Sequence, residues 1–581
     1  MPNETSSSQP QTTRGPSSPP TRWRARAANH FGIESPAEFI GATILLAALI
    51  AFRLVNIVTW KFDTDESQHA HVIWGWARGF VAYRDLCDNH MPLFHLVFAP
   101  IYNFLGDGPH VLIWLRLILF PAYLLSAWAT YRIGESLYSR RVGLWSAIIV
   151  GFYPGYYFLS GEFRTDNLWA ALWLLCVLTL VAQRLTLARA IAAGLLMGVC
   201  FGISMKTTLL FLSVIVAGGV SLLLFRKEFH TSSRDAARCF FAFVFCALVL
   251  PLMIMLSFAL AGVWPQFRYW VFENNILPGL MNHPAWWRFL FPTLFPLAVI
   301  VTWRHQRRLS DRATALRRTF VLSLCAFYIL ALWSYWNLVT RQDYLPFHPL
   351  AFIFYTAAIL RVSDRAVVAT SWSSSSLRRC PLPIIVAGSE FLVAFVARPV
   401  WLNPGKAETD LLRATYGLTN PGDFVLDLKG ETIFRQRAFA PIWEPLVMER
   451  IRRRLIVDDA AERAAAVRAC VATKHKDMSA AATRFIDDNY LPIGSGLYVA
   501  GHFLQPAADD GQTFRFDVAI PASYVIASAA GAANGDLDGQ PYDGARFLTP
   551  GRHTFVNRAP VQLPLAFYWS QAADRHFTPF Q

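Results

Sequence analysis

Residues 39–71 read FIGATILLAALIAFRLVNIVTWKFDTDESQHAH, and the change of character at Trp60 decides how the chain folds. The first part, 39–60, carries a single charge, Arg53, over the length of about 20 apolar residues that a membrane-spanning helix needs. Three acids then follow within four positions: Asp63, Asp65 and Glu66. The same alternation of long apolar run and short polar connector recurs along the 581 residues, for example in LLFLSVIVAGGVSLLLF at 209–225. Hydrophobic residues make up 54% of the chain and charged ones only 16%, against about 25% in soluble domains. The expected fold class is therefore mainly α: a polytopic helical membrane bundle of about 11 spans.

Those spans are expected near 39–60, 110–132, 142–160, 167–183, 190–204, 207–225, 239–262, 288–303, 319–338, 346–360 and 381–398. The formal net charge of +14 excludes less than it suggests, because the arginines sit in connectors: Arg140 and Arg141, Arg184 and Arg189, Arg226 to Arg234, Arg304 to Arg318, and Arg378 with Arg379. Such an excess marks cytoplasmic loops and not a nucleic-acid surface. Placing residues 1–37, a Ser/Thr/Pro/Gln-rich disordered tail, in the cytoplasm puts every arginine connector there too. The loop after Trp60, GEFRTDN, the 263–287 loop and LVTRQDY then face the other side. The eight cysteines show no zinc spacing and no disulfide framework; only Cys87 and Cys470 fall outside on that side.

Three regions follow: the tail 1–37, a transmembrane domain 38–398 and a soluble domain 399–581, extracytoplasmic by the same parity. Within the first outer loop MPLFHLVFAPIYNFLG is too short to span and opens on Pro92, which fits an interfacial or re-entrant helix. In the last domain FVLDL and GLYVAG read as short buried strands and 442–489 as helical. TFRFDVAI, SYVIAS, HTFV and LAFYW read as further strands, an α/β-to-β arrangement.

Each candidate for chemistry has a plainer use. Asp65 and Glu66 share a helix face with His69 if the chain turns helical after Thr64; on spacing alone, an N-terminal cap with acids in its first turn is the commoner arrangement. A metal bound through ExxH would need further acids that one copy of the motif does not supply. Asp166 stands at the mouth of the fourth span, where a cap is again the simple account. Lys206 is either a snorkelling lysine or a point charge for phosphate. Arg341 and Asp343 either pair with each other or reach a ligand, beside Tyr344 and His348.

The stretch DTDESQHAHVIWGWARGFVAYRDLCDNHMPLFHLVFAPIYNFLGDG, followed by a span, an Arg-rich turn and GEFRTDNLWAALWLL, resembles the membrane glycosyltransferases of the C superfamily (GT-C). It is most similar to the branch of protein O-mannosyltransferases and bacterial aminoarabinose transferases. The resemblance covers residues 40–225 by motif and 226–400 by hydropathy, and departs in having one proline where that loop is usually proline-rich. It implies transfer of a sugar from a polyprenyl-phosphate donor to a hydroxyl on a lipid, glycan or protein acceptor, with inversion, outside the cytoplasm. Asp65 would then be the general base, and Glu66 and Asp166 would orient acceptor or sugar. Lys206 and Arg341 would hold the departing phosphate, with His69, Tyr344 and His348 as substrate or metal contacts. No cofactor is certain; a divalent cation has room in this scheme. The resemblance and the Arg/Ala-rich usage together imply a bacterial inner membrane. The alternative is a polytopic transporter or lipid flippase, which would keep its ionisable groups near mid-membrane.

Overall fold

The computed structural model describes residues 30–33, 35–225, 233–280, 311–369, 381–507, 512–558 and 564–580. The first apolar run is helix α1, Pro36–Thr59, begun by Ser35, whose hydroxyl accepts from Glu38 N at 3.4 Å, and by Pro36, whose fixed φ suits a first turn. After a four-residue break comes α2, Thr64–Ala77, and α3, Leu93–Leu105, packs against it. Leu96, Val97 and Phe104 leave one side of α3 apolar and exposed, as befits a helix lying at a lipid surface. The bundle continues with α4, Val111–Leu137; α5, Arg140–Phe152; α6, Thr165–Val181; α7, Leu187–Ile203; α8, Thr207–Leu224; α9, Ser233–Leu260; α10, Arg312–Tyr335; α11, His348–Ala369; and α12, Leu382–Ala397.

Helices thus lie at every expected span but 288–303, which falls outside the described residues, as do most of the N-terminal tail and the arginines at 304–308 and 378–379. Among the described residues, six helical stretches are long and apolar enough to cross a membrane, and Arg140–Phe152 with Pro154–Gly161, bent by 74°, makes a seventh if taken as one broken span. The chain is a multi-pass membrane protein; the described residues hold fewer full-length spans than the eleven expected. At 17 residues each, α6 and α7 extend about 26 Å, short of a hydrocarbon core of about 30 Å.

Glycines bring the helices into contact. A Cβ on Gly143 of α5 would lie 2.2 Å from the carbonyl oxygen of Tyr131 on α4, and one on Gly194 of α7 would lie 2.5 Å from that of Phe243 on α9. Small residues at such crossings allow backbones to approach where lipid offers no hydrophobic drive for association. Phe245, Leu252, Met253, Leu256 and Leu260 leave the far side of α9 apolar and exposed.

The two ends of the bundle differ in charge. At one end Glu38 pairs with Arg141 at 2.7 Å, Arg140 pairs with Glu135, and the Arg318 guanidinium donates to the Leu137 carbonyl. The other end carries the acids that follow Trp60.

After α12 the chain runs past that acidic end, where Gly405 N donates to Thr59 O at 3.0 Å, into α13, Lys406–Leu418. A strand-rich region with its own core follows. Among the described residues its larger sheet has nine strands. Phe424–Leu426 pairs in parallel with Gln436–Arg437 and Val471–Thr473, and the remaining pairings are antiparallel. A second, four-stranded sheet holds Thr513–Val518, Gly535–Leu537, Gln540–Tyr542 and Gly551–Asn557. The helical reading of 442–489 holds for Pro445–Arg452, Ala460–Ala466 and Ala480–Asn489 but not for Val471–Thr473. Three buried residues are too few to show a strand's alternation, and pairing to Phe424–Leu426 decides their conformation. Cys87 and Cys470 are both free.

Candidate active site

At the start of α2 the cap and the candidate catalytic group turn out to be different residues. Asp63 is the N-cap: its carboxylate accepts from Asp65 N at 3.0 Å, while Glu66 reaches back to accept from Asp63 N at 2.9 Å, a capping box. Glu66 is fully buried and its oxygens are occupied. Arg116 of α4 grips them through Nε at 2.7 Å and a terminal nitrogen at 2.6 Å, and Phe163 N donates at 2.7 Å. Arg116 in turn donates to the carbonyls of Trp60 and Lys61, closing the break between α1 and α2. Glu66, expected to orient a substrate, is therefore part of the frame, because burial beside a bidentate arginine leaves it no free lone pair for a ligand.

Asp65, one residue earlier, turns the other way and stays partly exposed. Its Oδ2 meets Arg164 at 2.6 Å and its Oδ1 meets Lys429 Nζ at 2.6 Å. Burial alone would raise this carboxyl, but Arg164 and Lys429 outweigh it and hold Asp65 well below the usual carboxylate range. Arg164, from the turn before α6, also reaches Asp63 at 3.0 Å and Asp166 at 3.4 Å. Asp166 touches Lys206 at 3.2 Å, and Lys206 touches Asp343 at 2.5 Å. Lys429, Asp65, Arg164, Asp166, Lys206 and Asp343 thus alternate in sign along one continuous chain of ion pairs. The chain joins α2, the turn before α6, the α7–α8 junction, the segment before α11 and the C-terminal domain.

The other candidates divide between the ladder and its surroundings. Lys206 neither snorkels nor stands open; two carboxylates share it. Asp343 pairs with Lys206 and accepts from Thr340 N at 2.6 Å, and does not pair with Arg341. Arg341 is exposed and makes no ion pair among the described residues, so it is a cation available to a ligand. Tyr344 accepts from Trp333 Nε1 at 2.9 Å and stacks on His348, which packs against Tyr153.

A second cluster lies beneath the first. Asp88 accepts from His90 Nδ1 at 2.9 Å and lies 3.0 Å from His95 Nδ1, and His95 Nε2 meets His69 Nδ1 at 3.0 Å. Burial, reinforced by His90 and His95, pushes His69 well below the usual imidazole range, so it is neutral at pH 7. His69 is thus turned toward His95, and among the described residues no group of three or more His, Cys, Asp or Glu side chains is placed to hold a metal ion. Asp88, His90 and His95 were legible as polar residues around Pro92, but nothing local shows that they converge. Arg164 stood inside GEFRTDN unremarked, and Lys429 lies 364 positions from Asp65 with no local signal at all.

Compared with solved structures, the chain aligns with ArnT from Cupriavidus metallidurans at a TM-score of 0.56, covering 79% of this chain and 97% of that one at 14% identity. The fold is ArnT-like. ArnT bound to undecaprenyl phosphate gives the same TM-score at 12% identity, over 80% of this chain and 98% of the other. The helical bundle followed by a strand-rich region that the sequence leads one to expect is therefore a fold shared with ArnT over these coverages. At such identities the likeness to ArnT is one of fold. The Archaeoglobus fulgidus oligosaccharyltransferase aligns at a TM-score of 0.41, too low to argue from. No family model and no curated protein matches the chain.

Proposed function

We propose that this protein is an integral-membrane glycosyltransferase that moves a sugar from a polyprenyl-phosphate carrier to an acceptor hydroxyl, with inversion, on the extracytoplasmic side of a bacterial inner membrane. The observation that carries the reading is the ladder of alternating charges at the rim of an ArnT-like bundle, with one partly exposed carboxylate, Asp65, in it. That undecaprenyl phosphate binds ArnT supports a lipid-phosphate donor here.

In this scheme the acceptor oxygen attacks the anomeric carbon as the bond from that carbon to the phosphate oxygen breaks. The bonding pair leaves with the phosphate, and the acceptor's proton passes to Asp65. Arg164 fixes Asp65 in place and Asp166 beside it, a preorganised field that need not rearrange during the reaction. The negative charge growing on the phosphate falls to Arg341. Lys206, shared by Asp166 and Asp343, positions Asp166 toward the sugar in place of binding phosphate. The acidic rim is taken as extracytoplasmic because the arginine connectors gather at the opposite end. A carrier-flipping protein would want ionisable groups midway along its helices, and the ladder lies at helix ends.

The test is transfer in lipid nanodiscs from a panel of undecaprenyl-phosphate sugars, followed by mass spectrometry of the acceptor fraction. Release of undecaprenyl phosphate by the wild type and its loss in Asp65→Asn is the expected result. Turnover in Asp65→Asn close to that of the wild type would remove the base assignment.

A further inference from the structure

The C-terminal domain does more than sit on the bundle: one of its turns enters the site. Ile433 and Phe434, fully buried, belong to the core of the bundle and not to that of their own domain. Just before them, residues 427–432 form a turn held from both sides. Asp427 accepts from Gly430 N, Thr432 N and the Thr432 hydroxyl, and is itself paired with Arg437 at 2.7 Å. Glu431 accepts from Leu428 N at 3.1 Å and Lys429 N at 2.7 Å. The turn is seated on α2, where His71 Nδ1 donates to Ile433 O at 2.8 Å. Gly430 has φ +97°, and a Cβ there would lie 2.7 Å from the His71 ring. Nearby, Asn89 donates to Glu444 at 2.9 Å, a second tie between the domain and the outer loop.

What this turn presents is Lys429, a flexible ammonium with three donors, of which one is committed to Asp65. A staple between two domains would not need to end on a partly exposed carboxylate of the ladder. A donor phosphodiester brought to that carboxylate carries one negative charge, as Asp65 does, and would compete with it for Lys429, whose ammonium has donors to spare.

We propose that Lys429 is a shared positioning residue: it is the counter-ion of Asp65 in the resting protein and moves to the donor's phosphate when the lipid enters, leaving Asp65 Oδ1 free for the acceptor hydroxyl. The C-terminal domain thereby completes the site. This rests on the glycosyltransferase reading above and adds to it which residue couples donor binding to the base.

The experiment uses full-length protein in nanodiscs and undecaprenyl phosphate alone as the probe, with transfer kinetics alongside. Lys429→Gln is expected to weaken undecaprenyl phosphate binding and raise the donor KM by about ten-fold or more, with Lys429→Arg restoring most of both. Gly430→Ala, which keeps the lysine but lifts the turn off His71, is expected to reproduce the KM effect in part. Thermal unfolding of each variant shows that the fold is kept. If the wild type binds and transfers while Lys429→Gln matches it in both, or if Lys429→Arg is as impaired as Lys429→Gln, the residue is only a staple and the inference fails alone. If the wild type neither binds undecaprenyl phosphate nor transfers sugar, the functional reading fails and takes this inference with it.

Discussion

Asp65 and Glu66 are adjacent, both acidic and both paired with arginine, yet they answer to different tests. Asp65→Asn removes a charge that Arg164 and Lys429 share, at a partly exposed site, so the protein should stay folded while transfer falls by about 100-fold or more. Glu66→Gln leaves Arg116, only 2% exposed, without its counter-ion, and a broken buried pair costs about 3–5 kcal/mol. A clear drop in detergent unfolding temperature is expected for Glu66→Gln and a smaller one for Asp65→Asn, whose site is partly exposed. The pH dependence follows from the groups facing Asp65: Asp63 and His69 on its own segment, Arg164, and Lys429 and Glu444 from the C-terminal domain. Its carboxyl is held below the usual range, so the stability its ionised form supplies is complete above the unfolded value of about 3.9 and is lost as pH falls through the lower folded value. The rate profile should therefore show no ionisation of Asp65 between about pH 5 and pH 8. In Lys429→Gln one of the two lowering charges is gone, and the acid limb of kcat/KM should move to higher pH. An unmoved limb in that variant would mean that Lys429 does not set the ionisation of Asp65.

The helices owe their positions to a few close approaches. Gly143 meets the backbone of α4 with no room for a Cβ, and backbone cannot swing aside as a side chain can. Gly143→Leu should therefore prevent α4 and α5 from packing and leave little folded protein after membrane extraction. Leu at Gly218 of α8, whose Cβ would meet nothing within 4 Å, should be tolerated. Equal yields by size-exclusion chromatography would show that the crossing is not tight. The break between α1 and α2 is held differently, by Arg116 reaching the Trp60 and Lys61 carbonyls. Those carbonyls have left the helix ladder, and Arg116 supplies the donors that the missing next turn would have given.

Across the whole molecule, the bundle and the C-terminal domain share a core at Ile433 and Phe434 and an ion pair at Lys429. Removal of 399–581 should then expose apolar surface on the bundle and abolish transfer, with aggregation as the readout. Orientation is checked by single cysteines. One placed at Lys61, exposed beside the rim, should react with an impermeant maleimide from outside intact cells, and one at Arg132, at the arginine end, should not. The reverse pattern would overturn the orientation on which the proposed function rests.

The sequence by itself showed the apolar runs that become helices among the described residues, the capped start of α2 and several strands of the C-terminal region, because each rests on residues near one another in the chain. Apolar length, caps and alternation are local properties, and solvent or lipid enforces them wherever the chain goes. Only the tertiary structure decided which acid is free and which is spent: Glu66 is filled by Arg116 from 50 positions away, Lys206 by Asp343, and Asp65 by Lys429 from the other domain. Ion pairing depends on distance in space and on what burial removes from water, and neither quantity is written in the spacing of residues along a strand or helix.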